Sequence, residues 1–195
     1  CRTLDGRHDV VTGSRVAGPN VFYNCVIRNA NNDAGPHHRW ATGTLYDTID
    51  TYGEFNIQNR GNRGNGHGRA GVNHVVWNSK ANTAVVQSPI GSGVNYAIGF
   101  NAKKVDGFSP MSPDGIWEGH NKKGLYPASL YMAQLNERER AKRQTLKNEI
   151  ISIERSPILS EASLLLDLPP QTITSFISER SAGSLNDYYS EGTYW

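Results

Sequence analysis

"NVFYNCVI" at residues 20–27, "GTLYDTID" at 43–50, "NHVVWNSK" at 73–80 and "NYAIGFNA" at 95–102 share one local pattern. Each opens on Asn or Gly, runs through three mostly apolar residues and reaches Asn, Asp or Gly. Aligning Tyr23, Tyr46, Trp77 and Ile98 gives spacings of 23, 31 and 21 residues. A unit of 21–23 residues therefore repeats, and the long interval carries an insertion of about nine. Short β-branched and aromatic runs with Asn or Gly at the corners fit stacked strands; amphipathic helices would place apolar residues three and four apart. Secondary runs, "EFNIQN" (54–59) and "TAVVQS" (83–88), imply more than one strand per unit. The expected fold is mainly β, a parallel β-helix or solenoid. Asn20, Asn73 and Asn95 then serve as corner residues, because Asn tolerates left-handed backbone.

The insertion must leave the repeat as a loop, and such insertions gather on the binding face of repeat proteins. It falls in "NRGNRGNGHGRAG" (59–71), and the preceding unit carries a second long loop, "NNDAGPHHRWATG" (31–43). Equivalent corners bring the two together, so His37, His38, Arg39, Arg60, Arg63, His67 and Arg69 are expected to line one cationic groove.

The basic character is confined to these loops. Twenty Lys and Arg against eighteen Asp and Glu leave a formal charge of +2, which gives no bulk electrostatic case for nucleic acid. The 37% hydrophobic content is low for a compact globule and points to something elongated or incomplete. The absence of an initiating Met leads to the expectation that the chain begins inside a larger polypeptide, the rest of which is a partner. No run of about 18 apolar residues occurs, and "CRTLDGRHDV" has no signal-peptide regions, so no membrane span is expected. Cys1 and Cys25 are compatible with a disulfide without requiring one.

The period changes after "SPDGIWEGHNKKGLYP" (112–127). Residues 128–154 are rich in helix formers and read as a closing helix, a hinge and a second helix; "SPILSEASLLLDLP" (156–169) reads as another. Three segments are expected: repeat units over 1–127, a capping helix and linker over 128–144, and a partial α-helical segment over 145–195.

"DYYSEGTYW" (187–195), after a Gly-containing loop and a helix pair, resembles the N-terminal signature of the alginate lyase superfamily, whose catalytic domain is an α/α toroid. That resemblance covers about residues 145–195. It implies groove or packing roles for Tyr188, Tyr189, Tyr194 and Trp195, and the superfamily's catalytic residues lie further along its pattern than this chain reaches. Residues 1–135, with "GPHHRWATGTLYD" and "NRGNRGNGHGRAG", resemble the C-terminal coils of right-handed parallel β-helix proteins of the pectate-lyase-like superfamily. Together they imply a secreted or periplasmic protein of polysaccharide degradation, with an acidic glycan as its partner. They imply no cofactor here, and leave calcium to coils outside this chain.

Cleavage of a uronic-acid polymer by β-elimination removes the proton alpha to a carboxylate and expels the 4-linked sugar. It needs a cation at the carboxylate, a base near neutrality and a proton donor. Arginine meets a carboxylate bidentately, so Arg39, Arg60, Arg63 and Arg69 are the substrate-binding candidates. His38 and His67 are the catalytic candidates, and Trp40 offers a face on which a sugar stacks. The alternative function is a noncatalytic acidic-glycan-binding module or adhesin using the same arginines. Glycoside hydrolysis is disfavoured, since the loops lack paired carboxylates. Imidazoles also bind zinc, yet no carboxylate or cysteine accompanies His37, His38 and His67 at ligand spacing, so no metal is expected. Asp33, Asp47 and Asp50 do not compose a calcium cage, His74 at a strand start reads as structural, and Lys103, Lys104, Lys122 and Lys123 read as surface charge.

Overall fold

The computed structural model describes residues 1–154. The chain divides into two units, 1–137 and 138–195, and all the strands among the described residues lie in the first. The strands are β1 (Arg2–Leu4), β2 (Asn20–Tyr23), β3 (Val26–Arg28), β4 (Ala41–Thr42), β5 (Thr44–Asp47), β6 (Asp50–Thr51) and β7 (Glu54–Ile57). They continue with β8 (Gly71–Val72), β9 (Val75–Trp77), β10 (Lys80–Val86), β11 (Tyr96–Ile98), β12 (Asn101–Lys104) and β13 (Ile116–Glu118).

All ladders between these strands are parallel. One sheet runs β1-β3-β6-β10-β12, with β7 also paired to β10; a second runs β13-β11-β9-β5-β2; β4 and β8 form a third pair. In the second sheet Phe22, Tyr46, Val76, Ala97 and Trp117 share one row, and Tyr23, Asp47, Trp77 and Ile98 share the next. Tyr46 thus stands one residue away from the alignment read in the sequence, where it was matched to Tyr23 and Trp77. The reason is the two-residue side-chain period of a strand: the Tyr46 row faces the core, the Asp47 row faces out. Ile116–Glu118 adds a further strand to the four segments aligned in the sequence, inside the 1–127 span expected for the repeat units.

The inward row stacks its rings. Phe22 and Tyr46 lie 5.5 Å apart, and Phe55 meets Tyr46 at 5.0 Å and Phe100 at 5.6 Å. Phe100 stacks on Trp117 at 5.9 Å, with nearly parallel ring planes. Each such pair adds about 0.5–1.5 kcal/mol beyond the burial of its area. Ile27, Ile49, Ile57, Val76 and Val86 complete the core. A column of left-handed residues, Asn24, Thr48, Asn78 and Gly99, turns the chain from the second sheet to the first. Each backbone N–H in that column donates to the carbonyl before the next corner: Asn24 to Asp47, Thr48 to Trp77 and Asn78 to Ile98.

The expected fold class, mainly β with a right-handed parallel β-helix, is corrected by this arrangement. Among the described residues the ladders form separate sheets, and no closed solenoid is found. Beyond the two main strand paths, parallel pairing is limited to Ala41–Thr42 against Gly71–Val72, Glu54–Ile57 against the end of β10, and a single parallel bridge from Ala34 in the 31–43 loop to Phe55. With parallel sheets, a short helical turn and a 25-residue helix, the class indicated is mixed α and β.

That helix, α2 (Leu130–Glu154), is continuous where a hinge between two helices was expected. Its start is fixed by the outward row of the second sheet. Ser129 Oγ accepts the Met132 amide at 3.1 Å as an N-cap, and the buried Asp47 carboxylate accepts the Tyr131 amide at 2.6 Å and the Ser129 hydroxyl at 2.8 Å. Trp77 Nε1 donates to Pro127 O at 2.9 Å. In the second unit, residues 138–154 continue this helix. No described helix is long and apolar enough to cross a membrane.

Candidate functional site

The 59–70 loop folds back on itself. The Arg60 amide donates to Gly68 O and the Gly68 amide to Gly61 O, around the short turn α1 (Arg63–Gly66). The glycines of "NRGNRGNGHG" have a specific use at residue 64. Gly64 sits at φ +58, and a Cβ there would lie 2.0 Å from the His67 ring. Only glycine allows the loop to wrap so closely around that imidazole. The 31–43 loop reaches the same place: the Trp40 amide donates to Arg69 O at 2.8 Å, and Arg39 Nη2 reaches Asn65 O at 3.5 Å.

Three imidazoles meet where the loops converge. Ring centroids are separated by 4.9 Å for His37–His38, 4.8 Å for His37–His67 and 4.5 Å for His38–His67. Below them lies Asp33, 6% exposed. Its Oδ2 binds Arg60 Nη2, and it faces His8 Nδ1 at 3.3 Å and His37 Nδ1 at 3.7 Å. Arg60 Nη2 also donates to Asn56 Oδ1 at 2.6 Å. Burial, then Arg60 and His8, pull the His37 pKa down to about 4. Burial, then His67 and the two arginines, lower that of the exposed His38. Both rings are therefore neutral at physiological pH, the form that accepts a proton.

The arginines expected to line one groove have different surroundings. Arg39 stays exposed beside the histidines. Arg60 is buried in its pair with Asp33. Arg63 lies over the Phe108 ring at 3.6 Å, in an open cleft of about 530 Å³ that Asn59, Arg60 and Ser109 also line. Arg69 is buried and donates to Ser112 Oγ at 2.7 Å. Trp40 is 47% exposed with its backbone at φ +59, a conformation unusual for a bulky residue. His74 is fully buried: its Nδ1 accepts the Thr44 amide at 3.0 Å, its amide donates to Asn95 Oδ1, and burial lowers its pKa to about 4. Tyr188, Tyr189, Tyr194 and Trp195 lie outside the described residues.

Sequence reasoning weighed Asp33 only as a calcium ligand and passed over His8 and Phe108. Asp33 stands four residues before His37, a spacing that was visible but carries no meaning on an irregular loop. His8 belongs to an earlier unit and gives no local signal. Comparison of the chain with protein-family models, curated proteins and solved structures finds no match.

Proposed function

We propose that the chain carries the reaction centre of a polysaccharide lyase that cleaves acidic, uronic-acid-containing glycans such as alginate by β-elimination. The observation that carries this reading is the convergence of the two loops, which sets His38 and His67 side by side with Arg39 at their rim. Arg39 meets the carboxylate and withdraws charge from the adjacent carbon. His38 takes the proton from that carbon, the C–H pair becomes the new C=C bond, and the C–O bond to the leaving sugar breaks. His67 delivers a proton to the departing oxygen. Trp40 offers the exposed aromatic face for sugar stacking. The resemblance of residues 187–195 to the alginate lyase superfamily supports the substrate class and a secreted or periplasmic setting.

The cleft of Arg63 and Phe108 favours a second reading, a noncatalytic module that holds acidic glycans by an exposed cation on an aromatic ring. One experiment separates the two. Incubation of the protein with alginate and other polyuronates should release products with the ultraviolet absorbance of an unsaturated sugar. His38→Ala should abolish their release, and Arg39→Ala should raise KM. Retention of the glycan without product supports the module; neither binding nor product overturns both readings.

A further inference from the structure

The cluster His37, His38 and His67 has a property that proton transfer does not require. The ligand-competent nitrogens of all three rings lie within 4.8 Å of one another. Three imidazoles on one tetrahedral zinc ion, with Zn–N bonds of about 2.0–2.1 Å, have ring centroids roughly 5 Å apart. The separations here, 4.5–4.9 Å, are already close to that. Rotation of the His38 and His67 side chains on their loops closes the remaining distance.

A second, independent observation lies beneath the rings. His37 Nδ1 is buried and has no hydrogen-bond partner within normal length, and it faces Asp33 Oδ2 at 3.7 Å. A ring held by its Nδ1 toward a carboxylate presents Nε2 to an ion, the carboxylate–histidine–metal relay seen at zinc sites. Asp33 is itself anchored by Arg60 and His8, so the carboxylate end of the relay is fixed. The Asp33 charge balances that of Arg60, and no carboxylate oxygen enters the ligand set.

From this geometry we infer that His37, His38 and His67 bind one divalent ion of the zinc class, with Asp33 as the outer partner of His37. Neutral nitrogen donors in a three-ligand tetrahedral set suit zinc or cobalt(II), while calcium and magnesium take oxygen ligands. Three protein ligands leave the fourth position open, and Arg39 at the rim makes hydroxide or a carboxylate its natural occupant. The inference shares the place of the proposed β-elimination without depending on it. With the ion bound, the ring nitrogens are ligands, and imidazole proton transfer belongs to the ion-free protein.

The test uses the chain without any glycan. Cobalt(II) chloride titrated into metal-free protein should give the intense visible absorption of a tetrahedral site at a stoichiometry of one. Zinc chloride should displace it. His67→Ala and His37→Ala should each weaken binding at least tenfold, and Asp33→Asn should weaken it by about 10–100-fold. His120→Gln, outside the cluster, should leave binding unchanged, and thermal unfolding of His67→Ala should confirm that this variant folds. Absence of the tetrahedral spectrum in the parent protein, or equal cobalt affinity in the parent and in folded His67→Ala, overturns the site whatever the protein does to polyuronates.

Discussion

Asp47 and Asp33 are both buried aspartates, one on a sheet face and one under a pair of loops. Asp47, in a row of regular parallel strands, accepts a backbone amide and a capping hydroxyl at the start of α2. Its donors are fixed groups of the fold. Asp33 faces Arg60, His8 and His37, three side chains carried on loops and able to change partner. The same buried carboxylate is a structural pin in the first place and the floor of a histidine cluster in the second. What differs is whether its neighbours retain chemical freedom.

Substitution at the two aspartates should break this comparison most strongly. Asp33→Ala leaves the Arg60 guanidinium buried and unpaired, so denaturant unfolding should show a loss of about 3–5 kcal/mol. A loss under 1 kcal/mol would mean that Arg60 finds water and that the loops are looser than described.

The pH dependence of stability should be nearly as large. His74 has an ordinary pKa of 6.5 when unfolded and about 4 when folded. The unfolded chain therefore binds the proton more readily, and stability is full above pH 6.5. It declines as pH falls from 6.5 to about 4, by roughly 3 kcal/mol for this group alone. Urea midpoints measured across that window should fall steadily, and His74→Gln, though less stable at neutrality, should show a flatter profile. His37 adds to the decline in the same direction.

Asp47→Asn removes charge-assisted hydrogen bonds at a helix start, an effect of about 1.5–3 kcal/mol. Hydrogen exchange should quicken at Tyr131 and Met132 while the histidine loops keep their protection. The smallest effect belongs to Lys104→Ala, which deletes an exposed pair with Asp114, and its cost should stay below about 1 kcal/mol.

Much of the strand arrangement was legible because period and burial obey the same geometry. Tyr23, Trp77 and Ile98 were matched correctly, while Tyr46 slipped by one because its own strand carries apolar residues on both faces. Ile116–Glu118 escaped notice, since "GIWEG" offers only three strand residues between glycines. Closure into a solenoid could not be read from spacing, because it depends on what the loops do between the sheets. Loop convergence was legible from the length of two neighbouring insertions. The distinct environments of Arg39, Arg60, Arg63 and Arg69 were not: Asp33, Phe108 and Ser112 come from distant segments and decide which guanidinium is buried. The role of Asp47 was equally hidden, since its partners Ser129 and Tyr131 lie more than eighty residues away.

The central claim is that the 31–43 and 59–70 loops meet in one histidine cluster that receives an acidic glycan. Nuclear Overhauser spectra of the imidazole protons test it most directly, before and after addition of a short polyuronate. The account predicts cross-peaks among His37, His38 and His67, and shifts on glycan addition that leave His74 and His120 unmoved. Absence of cross-peaks between His67 and the other two rings would contradict it.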